Sequence, residues 1–163
     1  MGKGSRRKPG PRGKPRSPIR ITRVVGDVYE FVQPRSVRQR QLDLEEAIRA
    51  KEAGEPELAV DELRWLLGGC SYFMAAHVML ADLAKEQNRW DLARAHYGYA
   101  FELGLMAIPH GFRGRLAPQR PANRDFFAAG EGLIECLKRL GEQGQADEVV
   151  ARLRDLRSGG NQR

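Results

Sequence analysis

Hydrophobic side chains recur at helical spacing in six segments between residues 38 and 160. The segment 71–88 is apolar on nearly all sides, which is typical of a helix buried between neighbours. The connections within each pair of segments hold two or three residues, so consecutive helices are expected to pack antiparallel and side by side. The pattern therefore predicts an all-α body of about six helices in three antiparallel hairpins, with Gly104 ending the fourth helix.

β-Branched and aromatic residues are concentrated in residues 19–34, where Ile19 and Ile21 alternate with polar side chains before the stretch ends at Pro34. This composition predicts one extended segment, residues 19–37. Since the sequence shows no second strand, we expect the segment either to cover an apolar end of the helical body or to pair with a partner.

A fixed offset of 34 residues relates the first two hairpins, because Ala59 corresponds to Ala93 and Leu63 to Tyr97. From the second hairpin to the third, the offset between Ala93 and Val149 is 56 residues. The residues by which the second offset exceeds the first lie within one long connection, residues 105–123. The sequence thus predicts three copies of one helical unit, with an insertion before the third.

The second hairpin, residues 79–104, resembles the tetratricopeptide repeat, a helix–turn–helix unit of about 34 residues. The matching residues are Ala81, Asn88, Trp90, Ala93, Tyr97 and Ala100. The resemblance extends over residues 43–157 and implies a short TPR-like α-solenoid, in which the first helix of each hairpin lines a groove. It also implies a protein-interaction module that binds a protein or peptide partner. The groove residues that it implies are Ile48, Lys51, Val78, Asp82, Lys85 and Lys138. Lysines at these positions would suit an acidic peptide or a peptide that carries a C-terminal carboxylate.

Charge is distributed unevenly along the chain. The first 40 residues hold 12 Lys/Arg and two acidic residues, a formal charge of +10, whereas the remainder holds 16 and 19, a charge of −3. Residues 1–18 contain four glycines, four prolines and no apolar residue after Met1, so this basic tail is predicted to be disordered. The chain is thereby divided into the tail at 1–18, the extended segment at 19–37 and the helical domain at 38–160.

Two basic regions suggest further contacts. In the tail, lysine and arginine side chains are candidates for binding RNA phosphates, which gives an alternative function as an RNA- or ribosome-associated accessory protein. These candidates are Arg6, Arg7, Lys8, Arg12, Lys14 and Arg16. A tail that only increases solubility is the other interpretation.

The connection 105–123 contains arginines and no acidic residue. Together with the residue that follows it, the connection offers four arginines that could hold a phosphate or an acidic peptide: Arg113, Arg115, Arg120 and Arg124. Alternatively, it is an ordered spacer whose Phe112 and Leu116 fill a gap between the second and third hairpins.

Catalytic and metal-binding motifs are not apparent. His77, His96 and His110 lie on different elements, and neither they nor Cys70 and Cys136 show zinc-ligand spacing. We therefore expect a non-enzymatic protein without a cofactor or metal. No run approaches about 18 consecutive apolar residues, and two cysteines form no disulfide framework, so we expect a cytoplasmic protein that does not cross a membrane.

Overall fold

A computed structural model describes residues 17–160 and shows a mostly helical chain with one small sheet. The strands are β1 (Arg20–Val25), β2 (Val28–Val32) and β3 (Arg115–Leu116). The helices are α1 (Arg35–Gln39), α2 (Gln41–Glu52), α3 (Pro56–Gly69), α4 (Met74–Glu86), α5 (Trp90–Ala107), α6 (Arg124–Arg139) and α7 (Gln143–Ser158), with a 3-10 turn at Pro121–Asn123 before α6. The predicted tail lies almost entirely outside the described residues.

The extended segment is a hairpin, so the prediction of one unpaired strand is wrong. Gly26 has a φ of 54° and lies in the two-residue turn between β1 and β2, where a left-handed backbone reverses the chain. The strands pair antiparallel, with Arg20 opposite Val32. The short strand β3, from the long connection, pairs parallel to β2 and completes a three-stranded sheet.

Helices α2 to α7 are the six that the periodicity predicts. Three-residue loops join α2 to α3, α4 to α5 and α6 to α7, and the two members of each pair pack together. Helix α1 is an additional short helix at the end of the predicted extended segment, immediately after Pro34. The helix count is therefore seven among the described residues. None of these helices has the length and apolar character needed to cross a bilayer.

Helix α5 continues past Gly104, so the prediction that this glycine ends the helix is wrong. Gly104 is buried, and a Cβ atom at this position would overlap the ring of Phe126 in α6. Gly132 in α6 likewise leaves room for the ring of Tyr97 in α5. These glycines allow α5 and α6 to approach closely, and the large rings fill the space between them.

The long connection is built into the core. Leu116 is fully buried, and the ring of Phe112 meets that of Tyr29 edge to face at 5.0 Å. Asn123 is also fully buried and hydrogen-bonds both to β2 and to the connection itself. The sheet, the connection and α6 therefore form one packed end of the molecule.

Candidate partner-binding face

The first helices of the three hairpins, α2, α4 and α6, lie side by side. Near their C-terminal ends, Lys51 in α2 pairs with Glu86 in α4 at 2.9 Å, and Lys85 in α4 pairs with Glu135 in α6 at 2.9 Å. The two lysines are 34 residues apart, which is the offset of the sequence repeat. The repeat therefore places equivalent cations on neighbouring helices, each bonded to the next helix in the row.

At the opposite ends of the same three helices there is a cavity of about 280 Å³. Its lining comes from the N-terminal turns of α2, α4 and α6, from the segment after β2 and from the 3-10 turn: Gln33, Val37, Gln41, Leu44, Phe73, Met74, Ala75, Pro121, Arg124 and Asp125. Because the N-terminal turns share this cavity and the C-terminal halves share the ion pairs, the three helices run in the same direction. We call the surface between the cavity and the ion pairs the α2/α4/α6 face.

Two polar groups in the cavity have no hydrogen-bond partner among the described residues. The Oε1 atom of Gln33 is buried and accepts no hydrogen bond. The carboxyl group of Asp125 forms no ion pair or hydrogen bond in the described part of the chain, although Arg124 is its neighbour in sequence. Burial raises the pKa of Asp125 above its usual range, and the charge of Arg124 opposes this shift only in part. An unsatisfied buried acceptor such as Gln33 Oε1 is costly and is available to a ligand that donates hydrogen bonds.

The groove residues that the repeat resemblance implies differ in their exposure to solvent. Ile48 is exposed on α2 and Lys138 is exposed on α6, so both are accessible. Val78 is buried in the core with 8% of its surface exposed, and we leave it out of the candidate face. Asp82 is half-buried and accepts a hydrogen bond from the hydroxyl group of Tyr97. Burial and this bond to a carboxylate raise the pKa of Tyr97, which therefore stays protonated as the donor.

The three arginines of the long connection and Arg124, which follows it, do not form one site. Arg115 pairs with Asp27 at 3.2 Å, and Arg120 pairs with Glu30 in β2. Arg113 is exposed and has no ion pair among the described residues, whereas Arg124 lines the cavity of the α2/α4/α6 face. Two of the four guanidinium groups thus attach the connection to the β1–β2 hairpin.

A second polar cluster lies between α4 and α5. The Nδ1 atoms of His77 and His96 are 3.2 Å apart, and Nε2 of His77 is 2.8 Å from the carbonyl oxygen of Ser71. Since that carbonyl only accepts, His77 carries its proton on Nε2 and accepts at Nδ1 from His96. Burial lowers the pKa of both imidazoles, and the charges of His77 and Arg64 lower that of His96 further.

Groups of three or more potential metal ligands do not occur among residues 17–160. The two cysteines, Cys70 and Cys136, are free and buried, and burial raises the pKa of both thiols. The candidate RNA-binding residues of the tail lie outside the described part of the chain: Arg6, Arg7, Lys8, Arg12, Lys14 and Arg16.

The polar residues of the cavity were not predicted from the sequence. Gln33 and Asp125 are far apart in the chain, and neither belongs to a motif. The 34-residue offset marks Lys51 and Lys85 as equivalent positions on the row of first helices, but it gives no signal for the cavity residues. Comparison of the chain with protein-family models, with curated proteins and with solved structures gives no match.

Proposed function

We propose that this chain is a non-enzymatic protein-interaction module that binds a peptide segment of a protein partner on the α2/α4/α6 face. In this proposal the three hairpins are TPR-like repeats that stack into a short solenoid. Support for this arrangement comes from the three-residue loops, the 34-residue offset and the row of parallel first helices.

The observation that carries the proposal is the cavity at one end of this face. Its lining is largely polar, and it places the unpaired Gln33 Oε1 and the Asp125 carboxyl group beside the buried side chains of Phe73 and Met74. Convergent polar groups of this kind fix the orientation of a ligand and provide specificity. Its volume, about 280 Å³, is just below the range of about 300–1,000 Å³ for ligand pockets and suits one side chain of a docked peptide.

The charges of the face alter the expected partner chemistry. Lys51 and Lys85 are already paired with glutamates, and Glu131 is paired with Arg157. Lys51 and Lys85 therefore offer little free positive charge, whereas Lys138 and the cavity residue Arg124 are exposed and have no ion pair among the described residues. We propose that recognition depends on these two cations and on shape and hydrogen bonds inside the cavity.

The proposal can be tested with a photo-crosslinking amino acid placed at Ala128, which is exposed on α6 between the cavity residue Arg124 and the paired Glu135. A matched position on another surface is Glu57, exposed at the start of α3. A specific partner should be crosslinked from position 128 and not from position 57, and the purified partner should bind the unmodified chain. Equal capture from both positions would contradict the proposal.

A second candidate function is RNA binding by the basic tail. The described residues add one observation in its favour, because Arg20 and Arg23 on β1 are exposed and have no ion pair among residues 17–160. The positive charge of the tail thus continues onto the outer strand of the sheet. A single-stranded RNA homopolymer titrated at rising salt tests this function. Replacing Arg6, Arg7 and Lys8 by serine should reduce the slope of log K against log salt by about 2, at about 0.7 for each phosphate contact.

A further inference from the structure

A groove of about 690 Å³ runs between α5 and α7, on a different side of the hairpins from the α2/α4/α6 face. Its floor is formed by α6, where Leu133 and Leu137 are buried, and by Phe101 of α5. Tyr99 forms part of the wall, and 46% of its surface is exposed. The groove therefore presents apolar and aromatic surface that no described element covers.

The rim of this groove is acidic. Asp91, Glu102 and Glu148 are exposed, and none of them has an ion pair within 4.0 Å among the described residues. The one cation in the lining is Arg94, which is already paired with Glu142 at 2.9 Å. Three carboxylates around an apolar floor suit a positively charged segment whose aliphatic stems cover the floor.

The chain itself supplies such a segment, which joins the described structure at α5. Residues 1–16, which we call the arm, contain seven Lys/Arg and no acidic residue. The first described residue, Ser17, donates a hydrogen bond from its hydroxyl group to the carbonyl oxygen of Leu103 at 3.2 Å, one residue from Glu102. The arm thus enters the described structure beside α5, the helix that forms one side of the groove.

The arm is long enough to follow the whole groove. Along α5, the lining runs from Asp91 to Glu102, which is roughly 16 Å at about 1.5 Å per residue. An extended chain covers this distance with about five residues, at about 3.3 Å each. Arg12, Lys14 and Arg16 all lie within that distance of Ser17 in the sequence.

We propose that the groove between α5 and α7 binds the chain's own basic N-terminal arm, residues 1–16, through Asp91, Glu102 and Glu148. The tether provides a high effective concentration, so contacts that are individually weak are sufficient. An arginine of the arm can also place its guanidinium over the exposed ring of Tyr99. The contact withholds the cations of the arm from other anions, including RNA, until a stronger competitor displaces it.

Zero-length carbodiimide crosslinking of the full chain tests this proposal, because the reagent joins a lysine amine to a carboxylate only when the two touch. The arm contains three lysines: Lys3, Lys8 and Lys14. At low protein concentration we expect crosslinks within the monomer from these lysines to Glu102 and Glu148. Their yield should fall at least fivefold in 0.5 M salt, where the Debye length is about 4 Å.

The variant Glu102→Lys/Glu148→Lys reverses two rim charges, and it should reduce the remaining crosslink to Asp91 at least fivefold. The matched control is Glu45→Lys/Glu52→Lys on α2, since both glutamates are exposed and unpaired among the described residues. This control should leave the arm crosslinks unchanged. Circular dichroism verifies that both variants fold. Crosslinks spread evenly over Glu45, Glu52 and the groove, or the absence of any crosslink from the arm within the monomer, would overturn the proposal.

Discussion

The side-chain oxygen of Asn123 accepts a hydrogen bond from the backbone N–H of Phe31 at 3.0 Å. The amide nitrogen of the same side chain donates to the carbonyl oxygens of Tyr29 at 3.1 Å and Ala117 at 3.0 Å. One buried amide therefore joins β2, the long connection and the start of α6. Since these elements also form one wall of the cavity on the α2/α4/α6 face, Asn123 helps to position the candidate site.

Replacing Asn123 by alanine is expected to destabilise the fold by about 2–4 kcal/mol. The substitution leaves one backbone N–H and two carbonyl groups without their partner in a buried place, and each unsatisfied group costs about 1–3 kcal/mol before water enters. Urea unfolding followed by circular dichroism measures the change. A decrease of less than about 1 kcal/mol in the free energy of unfolding would mean that the hydrogen bonds of this amide do not hold the sheet to α6.

Two helical glycines should respond to alanine in opposite directions. A Cβ atom at Gly132 would overlap the ring of Tyr97, which is buried and fixed by its bond to Asp82, so Gly132→Ala should cost about 1–3 kcal/mol. A Cβ atom at Gly98 has no neighbour closer than 3.8 Å, so Gly98→Ala should stabilise the chain by about 0.5–1 kcal/mol. Thermal unfolding of the two variants checks the order, and equal effects would contradict the close packing of α5 on α6.

The pair formed by His77 and His96 should make the chain less stable in mild acid. Burial lowers the pKa of both imidazoles below their usual 6.5, so the unfolded chain binds protons that the folded chain does not. Their contribution is complete above about pH 6.5 and is lost as the pH falls through the lowered values. The free energy of unfolding, measured in urea from pH 7.5 to 5.0, should fall more for wild type than for His77→Phe. If the free energy of unfolding falls equally with pH in wild type and in His77→Phe, the histidine pair is not the cause of the lower stability in acid.

The arginines of the long connection should differ in their effect on stability. Arg120→Ser breaks the pair with Glu30, whose members are 37% and 26% exposed, and should cost about 0.5–1 kcal/mol. Arg113→Ser removes an exposed side chain with no pair among the described residues and should stay within about 0.5 kcal/mol of wild type. Chemical denaturation of the two single variants tests this order. The opposite order would mean that the pair with Glu30 does not hold the connection to the sheet.

The helical body could be predicted from the sequence because its signals are local. Apolar periodicity and short loops define α2 to α7, and the 34-residue offset identifies equivalent residues such as Lys51 and Lys85. The hairpin also has a local signal in the sequence, because Gly26 and Asp27 form a two-residue turn between β-branched runs. The prediction of one strand was wrong because it gave no weight to this glycine, which has a φ of 54° in the turn.

The remaining features depend on contacts between distant parts of the chain. Strand β3 has only two residues and exists because Tyr29 offers it a partner in β2. Gly104 resembles a helix terminator in the sequence, yet α5 continues to Ala107, and the glycine instead leaves room for the ring of Phe126. Gln33 and Asp125 share a cavity only once β2, α4 and α6 are assembled. No local pattern contains that information.

A cavity-filling substitution tests the proposal that the α2/α4/α6 face binds the partner. Ala75 is half-buried and lines the cavity, so Ala75→Leu fills part of it without removing any hydrogen bond. Ala95→Leu adds the same atoms to the groove between α5 and α7 and serves as the matched control. The measurement is the affinity of the partner crosslinked from position 128 for the three chains. We predict at least a tenfold loss, about 1.4 kcal/mol, for Ala75→Leu and less than a twofold change for Ala95→Leu. Unchanged affinity for Ala75→Leu, or a larger loss for Ala95→Leu, would contradict the claim.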